Sequence, residues 1–364
     1  MTARAFPLLG TLLLTSSVGC ATLGSPFAGG PPAELRRAMI ARATVWTESN
    51  IATKDLKAGP RREGALPFRD IVRCEYVDKP LEGNSPKFAC RIGDADEVKV
   101  KYGGANGEVY GEVLATRLLW ALGFGADAMY PVNVICHGCP DRLGGTLMAN
   151  GDSRFDPAII ERKFPAGEWP KHGPSGWSWR ELDEIAPDAR GATRAQRDAL
   201  KLLAVLLQHT DSKPQQQRIL CLGERVKGPD NDEGCEHPFL LINDLGLTFG
   251  RATQTNANDR SSVNLAAWRK TPVWKEGGAA CVGNLPRSIT GTLSDPRVSE
   301  DGRAFLAGLL SQLTDRQLHD LFEAARVELR LRAPEDVSSG FPTIDEWVAA
   351  FVDKRRQITE RRCS

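Results

Sequence analysis

The sequence predicts an α+β fold in which a small strand-rich half precedes a larger, mainly helical half. Three observations predict it. Residues 87–92 and 97–102 are short strand-like runs, and in the second Val98 and Val100 alternate with Lys99 and Lys101. Residues 193–207 place Ala199, Leu202, Leu203, Leu206 and Leu207 at helical spacing. Beyond position 300 the chain reads as three helices, 301–313, 315–330 and 343–361, the first two rich in leucine and alanine.

Taken in order, residues 1–19 carry one arginine, Arg4, then an apolar run over 6–14, then small residues ending at Cys20, the pattern of a secretory signal. The run is shorter than the roughly 20 apolar residues that cross a bilayer. Ser17-Val18-Gly19-Cys20 resembles the bacterial lipobox, which implies lipidation of Cys20 and an anchored, non-spanning mature chain. Ala21 implies, by the same resemblance, an outer-membrane lipoprotein of the cell envelope, facing periplasm or exterior; cleavage without lipid is the alternative. Residues 20–32 then form the anchor and a Gly/Pro-rich tether. Residues 33–47 read as helical. After a turn over 103–107, a helix over 108–122 puts Val113, Leu114, Leu118 and Ala121 on one face and ends at Gly123, where left-handed backbone costs least. Strands follow at 129–135 and 158–164, and a short helix at 177–185. Trp177, Trp179, Trp268 and Trp274 read as core rather than as the lining of a ligand groove. Residues 218–222 and 238–242 are apolar runs of a hairpin, and 251–262 is a polar surface segment.

The chain has 364 residues, 41% of them hydrophobic, with a formal charge of +1, so it can bury a full core and has no net field to gather nucleic acid. It shows no periodic repeat and no block of like charges. Of nine cysteines, eight remain once Cys20 is set aside, the even number an exported disulfide framework needs. A sequential pairing suits the predicted strands: Cys74 with Cys90, Cys136 with Cys139, Cys221 with Cys235 across the hairpin loop, and Cys281 with Cys363 stapling the tail. Cys136-His-Gly-Cys139 has as alternatives a redox motif or part of a zinc site. The five histidines show no paired metal spacing, and no G-x-S-x-G elbow is present, so zinc-peptidase and α/β-hydrolase chemistry lack their signatures.

The most informative residues lie at either end of the hairpin. His209-Thr-Asp-Ser-Lys-Pro-Gln-Gln216 precedes it and Asn243-Asp-Leu-Gly246 follows it. Phosphoryl transfer needs one carboxylate to orient a hydroxyl, a second to hold magnesium, and an amide about five residues beyond the first to hold another metal. Asp211, Asp244 and Gln216 have those types in that order. The first segment resembles the protein-kinase catalytic loop H-R-D-L-K-P-E-N at His209, Asp211, Lys213 and Pro214, with Gln216 where the kinase has Asn, and Asp-Leu-Gly resembles Asp-Phe-Gly. His209 reads as a buried structural residue beside Asp211.

The broader resemblance, over roughly residues 83–250, is to atypical kinases: the exported Golgi casein-kinase type, the HipA type and the phosphoinositide kinases. It rests on residues 243–250, similar to their aspartate-glycine-phenylalanine stretch, and on residues 112–124, similar to their Glu-bearing helix ending in Leu-Gly-Phe. It implies a bilobal kinase-like fold, with an N-lobe over 33–165 and a C-lobe over 166–364. It further implies ATP or another nucleotide as donor, Mg2+ or Mn2+ at Asp244 and Gln216, and a hydroxyl-bearing acceptor oriented by Asp211. Lys101 implies the strand lysine that clamps phosphates, held by Glu112; Lys99 and Glu108 are their respective rivals. Ser85 and Lys87 belong to the one candidate phosphate loop, 83–87, since no G-x-G-x-x-G precedes Lys101 and no Ala-Pro-Glu follows Asp244. The expected function is an exported phosphotransferase, and the alternative a non-catalytic envelope lipoprotein that binds a ligand or partner on the same scaffold.

Overall fold

A computed structural model describes residues 31–171, 176–227, 233–250, 262–277, 280–330 and 341–364. The signal, Cys20, most of the tether and nearly all of the polar segment 251–262 lie outside the described residues.

The strand-rich half is a nearly closed sheet. β1 (Ile71–Val77), β2 (Lys87–Ile92), β3 (Asp96–Tyr102), β5 (Ala128–His137) and β7 (Ser153–Arg162) lie in the order β3-β2-β1-β5-β7, and β3 pairs back with β7. Only β1 and β5 run parallel. The alternation in β3 explains its two faces. Val98 and Val100 join Val72, Phe88, Tyr130, Val134, Phe155 and Ile160 in one buried cluster inside the sheet, while Lys99 and Lys101 share the opposite face. Closure leaves the outward face to be covered by α2 (Glu108–Leu122), which is buried along almost its whole length and ends at Gly123 with φ +88°.

The second half is less purely helical than the sequence predicts. It contains a four-stranded sheet, β4 (Gly125–Ala126), β12 (Pro238–Ile242), β9 (Gln217–Cys221) and β8 (Gly167–Trp169), whose centre is the predicted hairpin. Around it stand α3 (Arg194–Leu207), opened by a Thr193 capping box, and the helices Leu265–Lys270, Glu300–Leu310, Asp315–Ala324 and Ile344–Glu360. One apolar core joins α2, α3, β9, β12 and the last three of these helices, so α2 packs as much against the second half as against its own sheet. The four tryptophans are core, as predicted.

Three helices differ from expectation, each for an identifiable reason. α1 (Ala33–Ala41) stops short of residue 47 because the chain turns to bridge Thr44 to Phe239 and Trp46 to Phe124. The stretch Trp179–Glu184 is 3-10 helix, opened by Ser178, rather than α-helix. The helix from Asp315 ends at Ala324 because Arg326 adopts φ +56°, and a short 3-10 turn at Val327–Leu329 follows. All eight cysteines pair sequentially: Cys74–Cys90, Cys136–Cys139, Cys221–Cys235 and Cys281–Cys363. No described helix is long and apolar enough to cross a membrane.

Candidate functional site

The hairpin brings its two ends together. Ile242 stands opposite Gln217 in the β9–β12 register, and the Gln216 carbonyl accepts from the backbone N–H groups of Asn243 (2.9 Å) and Asp244 (3.3 Å). Asp211, five residues before Gln216, receives the Gln216 amide N–H at 3.0 Å and the Lys213 ammonium at 3.1 Å. Gln216 therefore sits on Asp211. Burial, then the Asp244 charge, push the Asp211 carboxyl above its usual range, with Lys213 and Gln216 opposing.

Asp244 reaches the strand-rich half because two glycines let the backbones touch. A Cβ at Gly246 would meet Glu108 Cγ at 2.4 Å, and one at Gly111 would meet the Gly246 carbonyl oxygen at 2.6 Å. With that close approach, Glu108, Glu112 and Asp244 each place a carboxylate oxygen within 4.8 Å of the others. The Lys101 ammonium lies among them, bonded to Glu112 and, at 2.7 Å, to Glu108. Its side chain is 6% exposed and that of Glu112 is 1% exposed, so the pair is sealed from water.

The charges perturb one another as such burial requires. Burial alone would depress Lys101, but Glu112, Asp244, Glu108 and Glu161 overcome it and hold the ammonium well above the usual lysine range. Burial raises Glu112 to about 8, helped by Asp244, Glu108 and Glu161 and opposed by Lys101. Burial also works against the Asp244 charge, yet Lys101, the Gly246 N–H, Lys99 and His209 keep Asp244 below the usual carboxylate range. We read the cluster as one cation among more negative charge than it balances, with the excess falling on Glu112. His209 is fully buried, forms no side-chain hydrogen bond among the described residues, and is depressed to about 4 by desolvation.

The structure separates the rival lysines. Lys99 pairs with Glu161 on β7, which also holds Lys163 at 2.5 Å, while Lys101 turns to α2. It does not separate the rival glutamates, because Glu108 and Glu112 both hold Lys101. The loop over 83–87 closes on the same spot: Ser85 donates to Glu108 at 2.8 Å and Lys87 lies 3.4 Å from Ser85. Burial, then Lys101, lower Lys87, against Glu108 and Asp244. Lys101, Glu112, Ser85, Lys87, Asp211, Gln216 and Asp244 thus come from distant segments to one region. Sequence reasoning passed over Glu161; its signal was a lone acid sharing strand parity with Ile159 on the face toward α2.

A cavity of ≈ 630 Å³ bordered by Arg61, Trp120, Phe164 and Phe239 shares no residue with this region. Buried charges that shift one another are the better guide, because maintaining them costs stability without adding apolar packing. The residue types fit a metal ion: three carboxylate oxygen donors suit a hard divalent cation.

No family model matches the sequence, and no curated protein matches it at significant similarity. Among solved structures, the chain is similar to the Helicobacter pylori proinflammatory kinase CtkA, at 10% identity and TM-score 0.40, over 81% of this chain and 95% of that one. It is also similar to a Shewanella oneidensis HipA, HipB and operator DNA complex of a toxin–antitoxin system, at 12% identity and TM-score 0.29, over 78% of this chain and 65% of that one. Both likenesses are distant, and the functional reading rests on the residues.

Proposed function

We propose that this protein is an exported, kinase-like phosphotransferase of bilobal build that moves a phosphoryl group from a nucleotide to a hydroxyl acceptor with a divalent metal. The observation that carries the reading is the convergence of Lys101, Glu112, Asp211 and Asp244 from a strand, a helix and both ends of a hairpin. Asp244, with Glu108 or Glu112 beside it, would hold Mg2+ or Mn2+, which supplies charge neutralisation to the phosphates. Lys101 holds a permanent positive charge where phosphates approach, and the 83–87 loop adds Ser85 and Lys87. Asp211 accepts from Gln216 and Lys213, which fix its carboxylate for orienting an acceptor hydroxyl. Gln216 acts here by positioning Asp211. Four disulfides support export, since such frameworks persist in oxidising compartments, and the lipobox-like Cys20 supports a lipid anchor in the envelope. An extracytoplasmic site needs a nucleotide delivered locally or another activated donor.

The second reading is a binding scaffold without transfer. It is favoured by the Gln216 amide being engaged with Asp211 and by Lys101 already being shared between two glutamates. Thermal stabilisation by ATP with Mn2+, followed by transfer of labelled γ-phosphate, separates the two. Asp244→Ala is expected to lose metal-dependent nucleotide binding, and Asp211→Asn to keep binding but lose transfer. Binding by the Asp244 variant at wild-type strength overturns the assignment of the site.

A further inference from the structure

A second cavity, of ≈ 610 Å³, lies between the Trp179–Glu184 turn, the first turns of α3, and the segment from Arg287 to Arg297. Arg180, Arg194, Arg197, Lys201, Arg287 and Arg297 line it, against Asp183, Asp198 and Asp295, an excess of three positive charges in a chain whose formal net charge is +1. The acids are occupied. Asp295 pairs with Lys275 outside the cavity, Asp183 with Lys201, and Asp198 accepts from both the N–H and the hydroxyl of Ser299 while lying 3.6 Å from Arg194. Among the described residues, Arg180, Arg197, Arg287 and Arg297 have no acidic partner.

Exposed arginines alone are commonly just solvated, so the buried donors are what distinguish this place. Trp179 is 1% exposed, lines the cavity, and leaves its indole N–H without a hydrogen-bond partner. Arg197 donates to the Leu182 carbonyl at 2.7 Å, yet its Nε–H is buried and unpartnered. An orphaned buried donor costs about 1–3 kcal/mol, and both belong to residues that line this one cavity. Arg194 and Arg197 also sit in the first turn of a 14-residue helix, where the macrodipole opposes cations and favours an anion.

We infer that this cavity binds a phosphate-bearing polyanion. Guanidinium forks match phosphate oxygens two at a time, and the excess charge suits a ligand carrying several negative charges. The site stands apart from the carboxylate cluster, although its wall holds the loop that carries Asp211. Ser288 Oγ donates to the Thr210 carbonyl at 2.8 Å, Thr292 Oγ1 donates to the Ser212 carbonyl at 2.7 Å, and the Leu293 N–H donates to Ser212 Oγ at 3.2 Å.

Titration calorimetry with inorganic pyrophosphate in metal-free buffer tests it on the full chain. The wild type is expected to bind one pyrophosphate, and Arg180→Gln with Arg297→Gln to weaken that binding by about tenfold or more. Both side chains are exposed, so the double variant should unfold at the wild-type temperature. Asp244→Ala should bind pyrophosphate as the wild type does, which keeps this site independent of the proposed phosphotransfer. Absence of binding at millimolar pyrophosphate, equal affinity in the double arginine variant, or loss of binding in the Asp244 variant would each overturn the inference.

Discussion

Replacing Lys101 by Met removes the cation that Glu108 and Glu112 share while keeping most of its volume. At 2.7 Å and an effective dielectric near 20, the attraction between Lys101 and Glu108 alone is about 6 kcal/mol. Taking the ammonium out of water offsets much of that, and deleting one partner of a buried pair typically costs about 3–5 kcal/mol, because the remaining charges stay buried without compensation. We expect that loss in equilibrium urea unfolding of Lys101→Met at neutral pH. Glu112→Gln leaves Lys101 with Glu108 and Asp244, so it should cost less, about 1–2 kcal/mol. The double variant should be more stable than the sum of the two losses by at least about 1 kcal/mol, since side chains in direct contact couple by that order. A Lys101→Met protein as stable as wild type, or strictly additive losses, would refute the claim that this ammonium is the counter-charge of the cluster.

Gly246→Ala should lower stability by about 1–3 kcal/mol, the usual cost of forced overpacking, and should weaken metal-dependent nucleotide binding, because the new Cβ lies 2.4 Å from Glu108 Cγ; calorimetry and unfolding measure the two effects. His209 is depressed from 6.5 to about 4. Below its unfolded value the unfolded chain takes up a proton that the folded chain refuses, so stability should fall by about 3 kcal/mol as pH drops from 6.5 to 4. His209→Gln should flatten that part of the pH profile, and an unchanged slope in the variant would contradict the burial argument. Cys281 and Cys363 close a separation of 82 residues, and replacing both by Ala should lower stability by about 4–5 kcal/mol, read as a shift in the urea midpoint.

Legibility followed the range of the forces involved. The strand Lys87–Ile92, the helix Glu108–Leu122 and the strand Pro238–Ile242 appear with the ends their sequence pattern predicts, because alternation, a closing glycine and a bounded apolar run are local signals. The sequential pairing suited the sequence where the cysteines flank neighbouring strands, as Cys74–Cys90 and Cys221–Cys235 do, whereas Cys281–Cys363 joins segments 82 positions apart. The short strands of the second half escaped notice: β4 and β8 have two and three residues and exist only because β12 and β9 offer them edges. The early end of the first helix escaped it too, since the partners of Thr44 and Trp46 are far along the chain.

The sequence by itself determined which residue types were available for the site, their order, and the hairpin that joins Asp211 to Asp244, since each is written in neighbouring residues. Only the tertiary structure decided which lysine serves the cluster, that Glu108 shares it with Glu112, that Gln216 holds Asp211, and that Glu161 takes Lys99. Those choices depend on how closely α2 approaches the turn at Gly246, a distance set by packing between segments more than a hundred residues apart in the chain. No local pattern encodes it, because electrostatic pairing falls off with separation in space and is indifferent to separation along the chain.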